Sequence, residues 1–222
     1  MNKGLDWSQI DDVMLDMDGT LLDLYFDNHF WQVFVPQKYA QKNQIPYEQA
    51  LQELGGRYKK VAGQLDWYCV DYWSQELELD IASLKQELEH LIAVHPFVVD
   101  FLEALQLANK RIILVTNAHQ KSLSLKMKKT RLNHHFDEMI TAHDIGYPKE
   151  SQQFWKQLQE RLPFDPMKTL FVDDSLSVLK SARKYGINHL LAILKPDTTE
   201  PENNLDEFYG VNNFEKLLPE IR

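Results

Sequence analysis

Five short apolar runs punctuate this chain, each stopping at a polar or turn-forming residue. They are Asp12–Asp16, Arg111–Thr116, Glu138–Thr141, Thr169–Asp173 and His189–Leu194. Runs of four to six residues are too short for helices and suit strands buried on both faces. The stretches between them, Pro96–Asn109, Ala118–Leu132, Ser151–Leu162 and Ser175–Tyr185, read as helices. Gly186 stands where a helix hands over to a strand. This alternation predicts an α/β fold: a Rossmann-like parallel sheet with crossover helices on both faces.

One region interrupts the alternation. Residues 24–94 contain no convincing strand run and read as several helices, punctuated by Pro36, Pro46 and Gly55-Gly56. We read the chain as a core formed by residues 1–23 and 95–222, with a helical cap at 24–94 inserted after the first strand. Ala93-Val-His-Pro96 is the expected return hinge, because proline restricts the residue before it. Leu65 to Leu77 reads as one helix with two stripes: Leu65, Tyr68, Cys69 and Tyr72, then Val70, Trp73 and Leu77. Lys195–Asn204 is expected as a surface loop and Asn212–Leu218 as a short terminal helix.

Charge narrows the partners. Lys and Arg number 24 against 33 Asp and Glu, a net charge of −9 over 222 residues. A chain this acidic is not expected to bind nucleic acid through a basic surface, since phosphate backbones need cationic partners. Any anionic substrate must instead meet local cations or a metal. Cys69 is the one cysteine, which excludes an internal disulfide framework and a multi-cysteine zinc site. The first twelve residues lack the basic-then-apolar order of a signal peptide. No apolar run approaches the roughly 18 residues of a membrane span, so no membrane partner and a cytoplasmic location are expected.

The first run leads into Asp16-Met-Asp-Gly-Thr-Leu-Leu-Asp23. Open parallel sheets bind ligands outside the carboxyl ends of their strands. Gly19 lets the chain leave the strand through unusual backbone angles, and Thr20 is expected to hold the turn through its hydroxyl. Of the two carboxylates, one can attack an electrophile while the other delivers and removes protons. Asp-Gly alone is a common turn. The other strand ends add weight: Thr116-Asn117 after run two, Lys149 after run three, and Asp173-Asp174 after run four. Taken singly, each has an ordinary explanation as a cap or a solvated charge. Those explanations do not account for polar chemistry at three strand ends with a lysine between the last two.

In order, Asp-Met-Asp-Gly-Thr-Leu-Leu-Asp, Val-Thr-Asn, Lys and Val-Asp-Asp resemble the four motifs of the haloacid dehalogenase-like hydrolases. The resemblance implies Asp16 as nucleophile, forming an aspartyl-phosphate, and Asp18 as general acid and base. It implies that Thr116, Asn117 and Lys149 hold the phosphoryl group. It also implies Mg²⁺ on Asp16, the Asp18 backbone carbonyl and Asp174, with Asp173 as ligand or supporting partner. Many members carry a further acid about four residues after the strand-four acid; Val178 and Leu179 stand there instead, which leaves the choice between Asp173 and Asp174 open. The presence of Asp18 favours phosphoryl chemistry over carbon–halogen cleavage.

The inserted segment holds 12 of the 25 aromatic residues. Most are expected to form its own small core. One or two are expected to face the cleft, where a ring can stack on a flat substrate. Asp27, Asn28, Trp31, Tyr68 and Tyr72 are the candidates, with His29 a further polar neighbour. Several strings through the insertion, Phe-Asp-Asn, Trp-Tyr-Cys and Asp-Tyr-Trp among them, resemble the bacterial GMP/IMP nucleotidase branch of the family. That likeness implies a small phosphate monoester as partner, specifically a purine nucleoside 5′-monophosphate. Two alternatives share the motifs. A phosphomutase would differ in whether water or substrate attacks the aspartyl-phosphate. A phosphoacceptor receiver domain would place its acid pair after strand one and lack the large insertion.

Overall fold

The computed structural model describes residues 5–204 and 207–221. Strand β1 (Asp12–Leu15) is followed by a helical segment: α1 (Tyr25–His29), α2 (Val35–Asn43), α3 (Tyr47–Val61), α4 (Val70–Leu77) and α5 (Ile81–Glu87). The alternation then resumes as α6 (Val98–Leu107), β2 (Arg111–Thr116), α7 (Gln120–Thr130), β3 (Glu138–Thr141), α8 (Ala142–Ile145), α9 (Gln152–Arg161), β4 (Thr169–Asp173), α10 (Leu176–Tyr185), β5 (His189–Ile193) and β6 (Gly210–Val211). The strands form one parallel sheet in the order β3-β2-β1-β4-β5-β6. The expected α/β class holds, and the five apolar runs are its first five strands. β6 is an addition: two residues around Gly210, too short to give a periodic signal.

Alternation of side chains explains the two-sided burial. Val13, Leu15, Ile112, Leu114, Leu170 and Val172 face one layer, with Phe101 and Leu105 of α6 and Leu123 and Met127 of α7. Met14, Ile113, Val115 and Phe171 face the other, with Phe154, Trp155 and Leu158 of α9 and Leu179 of α10. A strand has period two, so one apolar run feeds both cores. The C-terminal stretch is a 3₁₀ helix, Phe214–Glu220, and Phe214 stacks on Phe101 at 4.4 Å between ring centres.

The helical segment packs on a core of its own, including Phe30, Tyr39, Leu54, Val70, Trp73, Leu77 and Ile81. Its two connections to the sheet lie side by side. Leu22 bridges Val94 in antiparallel fashion, Asp23 N donates to Ala93 O, and His95 N donates to Leu21 O. The stretch from Leu65 to Leu77 is not one helix. A 3₁₀ turn at Leu65–Tyr68 stops at Cys69, whose extended backbone (φ −84°, ψ 112°) starts α4 afresh. Leu65 consequently packs with the sheet's core, while Val70, Trp73 and Leu77 stay in the helical one.

Two further expectations need correction. Lys195–Asn204 does not simply skirt the surface. Pro196 and Asp197 are buried, Pro196 O bonds His95 Nε2 at 3.0 Å and Leu24 N at 2.9 Å, and Asp197 accepts from Asn28 at 2.8 Å. The loop thus pins both connections, a long-range role that its proline-rich, polar composition does not announce. Thr20 does not hold its turn: its hydroxyl is buried without a hydrogen-bond partner among the described residues. Backbone bonds do so instead, from Gly19 N to Leu22 O and from Leu21 N and Leu22 N to Met17 O. Among the described residues no helix is long and apolar enough to cross a membrane.

Gly19 is the tightest point of the turn. Its φ is +81°, and a Cβ there would lie 2.6 Å from Asp174 Oδ2. Gly19→Ala should therefore cost at least the roughly 1–2 kcal/mol of a left-handed non-glycine residue, and it should displace Asp174. Thermal unfolding checks the first effect; metal titration of the same variant checks the second.

Candidate active site

Neighbouring strands end side by side and supply the first groups. Leu15 is in register with Leu114 and with Val172, so Asp16 and Asp173 emerge at one level, flanked by Thr116. Lys149, between α8 and α9, is 2% exposed. Its Nζ donates to Asp16 Oδ1, to Asp173 Oδ2 at 2.7 Å and to Val115 O at 3.1 Å. Burial alone would drive the ammonium to shed its proton, but the two carboxylates outweigh burial and hold it charged. Burial pushes Asp16 up to about 6 against the pull of Lys149.

A third carboxylate joins them. Ligand oxygens of Asp16, Asp173 and Asp174 lie within 4.8 Å of one another. Asp173 is committed to Lys149 and to the Ser175 N–H at 2.8 Å. Asp174 pairs with no cation among the described residues. Burial first, then the charges of Asp173 and Asp16, raise its carboxyl well above the ordinary range. A cluster of hard oxygen donors with excess negative charge fits Mg²⁺, which takes one or two carboxylates and keeps waters or phosphate oxygens.

Asp18 belongs to a second charged array. Its Oδ1 accepts from Lys126 Nζ at 2.6 Å; Lys126 also reaches Asp27 at 2.5 Å, and Lys85 donates to Asp27 at 2.9 Å. The four groups come from the turn after β1, from α7, and from α1 and α5 of the helical segment. Lys85 and Lys126 are nearly inaccessible and lie 5.0 and 5.2 Å from the Phe26 ring centre. Burial raises Asp18 to about 6, against the pull of Lys126. Burial would also raise Asp27, but Lys126 and Lys85 together hold it down at about 2.

Thr116 is buried, and its hydroxyl oxygen accepts the Ala118 N–H at 3.0 Å, leaving the hydroxyl proton to donate. The Asn117 side chain is occupied otherwise. It accepts from Lys149 N at 2.9 Å and donates to Glu150 Oε2 at 3.0 Å, so it braces the lysine loop. Glu150 also accepts from Tyr68 OH at 2.7 Å, a direct tie from the helical segment to that loop.

These groups share a cavity of about 340 Å³. Its lining combines the polar group Asp16, Asp18, Thr116, Asn117, Lys149, Asp173 and Asp174 with the aromatic residues Trp31, Tyr58, Trp67, Tyr68 and Trp73. Those indoles and Tyr58 meet mostly edge to face, with ring centres 5.0–6.2 Å apart. Asp27, Asn28, Trp31 and Tyr68 line the cavity. Tyr72 does not: it packs edge-on against Trp73 at 5.1 Å, because the break at Cys69 rotates α4 relative to the turn before it. His29 also lies off the cavity, tilted against Tyr25.

Sequence reasoning missed Lys85, Lys126, Tyr58, Trp67 and Glu150. The lysines carried no signal, since a lysine on a helix is ordinarily solvated. Tyr58 sits in a helix separated from Trp31 by 26 intervening residues, so only the tertiary fold brings them together.

Removing Asp27 leaves two buried ammonium groups underpaired. Asp27→Asn should lower stability near neutral pH by about 3–5 kcal/mol. The carboxyl titrates at about 2 in the fold against an ordinary 3.8. Its contribution is therefore complete above about pH 4 and lost as pH falls through about 2. Urea unfolding of both proteins across this range should show the difference shrinking towards acid.

Comparison with known proteins agrees with this geometry. Residues 13–192 match the model of the haloacid dehalogenase-like hydrolase family. The chain is 38% identical over 221 residues to the GMP/IMP nucleotidase YrfG of Escherichia coli (strain K12), covering 100% of both. A phosphatase of the family from Thermococcus onnurineus superposes with a TM-score of 0.77 at 24% identity, covering 94% of this chain and 96% of that one. YfnB of Bacillus subtilis, solved bound to magnesium, superposes with a TM-score of 0.63 at 18% identity, covering 96% and 99%. The carboxylates at the ends of β1 and β4, the buried lysine between them and the match along most of its length make this chain a member of the haloacid dehalogenase-like hydrolases.

Proposed function

We propose that the protein is a Mg²⁺-dependent phosphomonoesterase that hydrolyses a purine nucleoside 5′-monophosphate through an aspartyl-phosphate on Asp16. The observation that carries this reading is the mixed lining of one cavity. Two carboxylates two residues apart, Lys149 and Thr116 share it with a cluster of mutually packed indole and phenol rings. The full-length likeness to a GMP/IMP nucleotidase supports the purine assignment.

Residues 24–94 act as a cap in this reading, with 1–23 and 95–222 as the core. Asp16 Oδ attacks phosphorus, and the bond from phosphorus to the ribose oxygen breaks. Asp18, titrating at about 6, gives its proton to that oxygen. The resulting carboxylate then takes a proton from water, whose oxygen attacks the phosphorus, releasing phosphate and restoring Asp16. Lys126 fixes the Asp18 carboxyl from the side. Lys149 and the Thr116 hydroxyl face the phosphoryl oxygens, and Asp173 holds Lys149 in place. Asp16, Asp174 and the Asp18 carbonyl would hold Mg²⁺. The ion supplies the positive charge that lets a carboxylate approach a phosphate dianion.

Asp16→Asn should abolish phosphate release from GMP and IMP with an unchanged circular dichroism spectrum; near-normal turnover would remove Asp16 as nucleophile. Asp18→Asn should slow release by about 10²–10⁴-fold, with phosphorylated protein detectable by mass spectrometry. An isomerised phosphosugar in place of free phosphate would point to a mutase.

Aromatic recognition has its own test. Trp31→Leu should raise KM for a purine mononucleotide roughly 5- to 150-fold, the equivalent of about 1–3 kcal/mol of base stacking. It should leave KM for ribose 5-phosphate nearly unchanged. Equal effects on both would count against stacking at Trp31.

A further inference from the structure

A second cluster of ligating side chains lies where the helical segment meets the sheet. Cys69 stands at the bend before α4, His119 caps the N-terminus of α7, and His143 lies in α8. One ligand atom from each falls within 4.8 Å of the others. The two imidazoles meet edge to face, 4.8 Å between ring centres. Both ring nitrogens of His143 are buried with no hydrogen-bond partner among the described residues. Leaving such groups unpaired carries a desolvation cost, and an imidazole nitrogen without a proton is a metal ligand. His119 Nδ1 accepts the Lys121 N–H at 3.3 Å, which leaves Nε2 for the cluster.

We infer that Cys69, His119 and His143 form a binding site for a divalent ion of the Zn²⁺ class that latches the helical segment onto the sheet. One thiolate and two imidazoles are a borderline-soft donor set, the kind Zn²⁺ takes in tetrahedral sites. Zn–S bonds of about 2.3 Å and Zn–N bonds of about 2.0–2.1 Å put ligand atoms roughly 3.3–3.7 Å apart. Small adjustments within the observed spacing reach that geometry. Mg²⁺ prefers the oxygen cluster at Asp16, Asp173 and Asp174, so the two sites sort ions by donor chemistry. On binding, the Cys69 S–H bond breaks, its proton passes to solvent, and the thiolate bonds the ion. Water completes the shell, and Asp71, whose Oδ2 is 3.7 Å from His119 Nε2, adds negative charge beside it.

The position gives the latch a consequence. Tyr68, next to Cys69, lines the cavity, as does His119. α4 and α7 already meet at this seam, where Asp71 pairs with Lys121 at 2.5 Å. An ion spanning it would slow the opening through which substrate and product pass.

Titrating Co²⁺ into the metal-free protein tests the site by absorption. One equivalent should produce a thiolate-to-cobalt charge-transfer band, which the oxygen cluster cannot give. Cys69→Ser should abolish the band, and His143→Ala should weaken binding by at least about tenfold, with both variants retaining Mg²⁺-supported turnover. Zn²⁺ at one equivalent should slow phosphate release by the wild type and spare Cys69→Ser. Absence of the band in folded protein, or an equal band in Cys69→Ser, would overturn the site. Equal inhibition of both proteins would overturn the latch. The cobalt spectrum reads the site whether or not any phosphate ester is hydrolysed.

Discussion

The pairing of one buried ammonium with carboxylates from two strands sets the terms for everything around it. Asp16 and Asp173 emerge from adjacent strands at the same level, and Lys149 Nζ sits between them. A buried carboxylate pair would be prohibitive without that cation. The position of Lys149 is in turn overdetermined. Its N–H is held by Asn117, its carbonyl accepts from Trp155 Nε1 at 2.9 Å, and its Nζ also reaches Val115 O. The lysine cannot neutralise Asp174 as well. The remaining negative charge at that corner is what the proposed Mg²⁺ would offset, and Gly19, with no side chain, lets Asp174 approach the loop.

A second buried network does for the helical segment what Lys149 does for the sheet. Lys126 touches Asp18 of the turn after β1 and Asp27 of α1 at once, and Lys85 completes the charge balance from α5. The Pro196–Asp197 loop clamps the same entry point through Leu24 and Asn28. Tyr68 and Glu150 join the far side to the lysine loop. The aromatic wall is thus fixed relative to the acids by charge and hydrogen bonds at three places. Its own rigidity comes from interlocked rings in which Trp73 is buried and Tyr58, Trp31 and Trp67 pack around it.

Five strands, the helices between them and the conformation at Gly186 were legible in sequence because each depends on neighbours along the chain. The helix boundaries shifted by one or two residues, as at Pro96–Asn109, which the structure narrows to Val98–Leu107. Cys69 shows where local reading failed: the apolar stripe runs on through it, while the backbone turns extended there to seat Leu65 in one core and Trp73 in another. The Thr20 hydroxyl failed likewise, since backbone bonds had already closed its turn.

The sequence by itself determined the α/β alternation and the order of acids, hydroxyl and lysine along the strand ends, because strand periodicity and motif spacing are one-dimensional. Which groups actually meet was decided by the tertiary structure alone. Only the fold placed Lys126 between Asp18 and Asp27, turned Tyr72 away from the cavity while admitting Tyr58 and Trp67, and gathered Cys69, His119 and His143 within 4.8 Å. The physical reason is common to all of these. Burial and charge pairing act between residues tens of positions apart, and no periodicity along a chain records which distant side chains exclude water together.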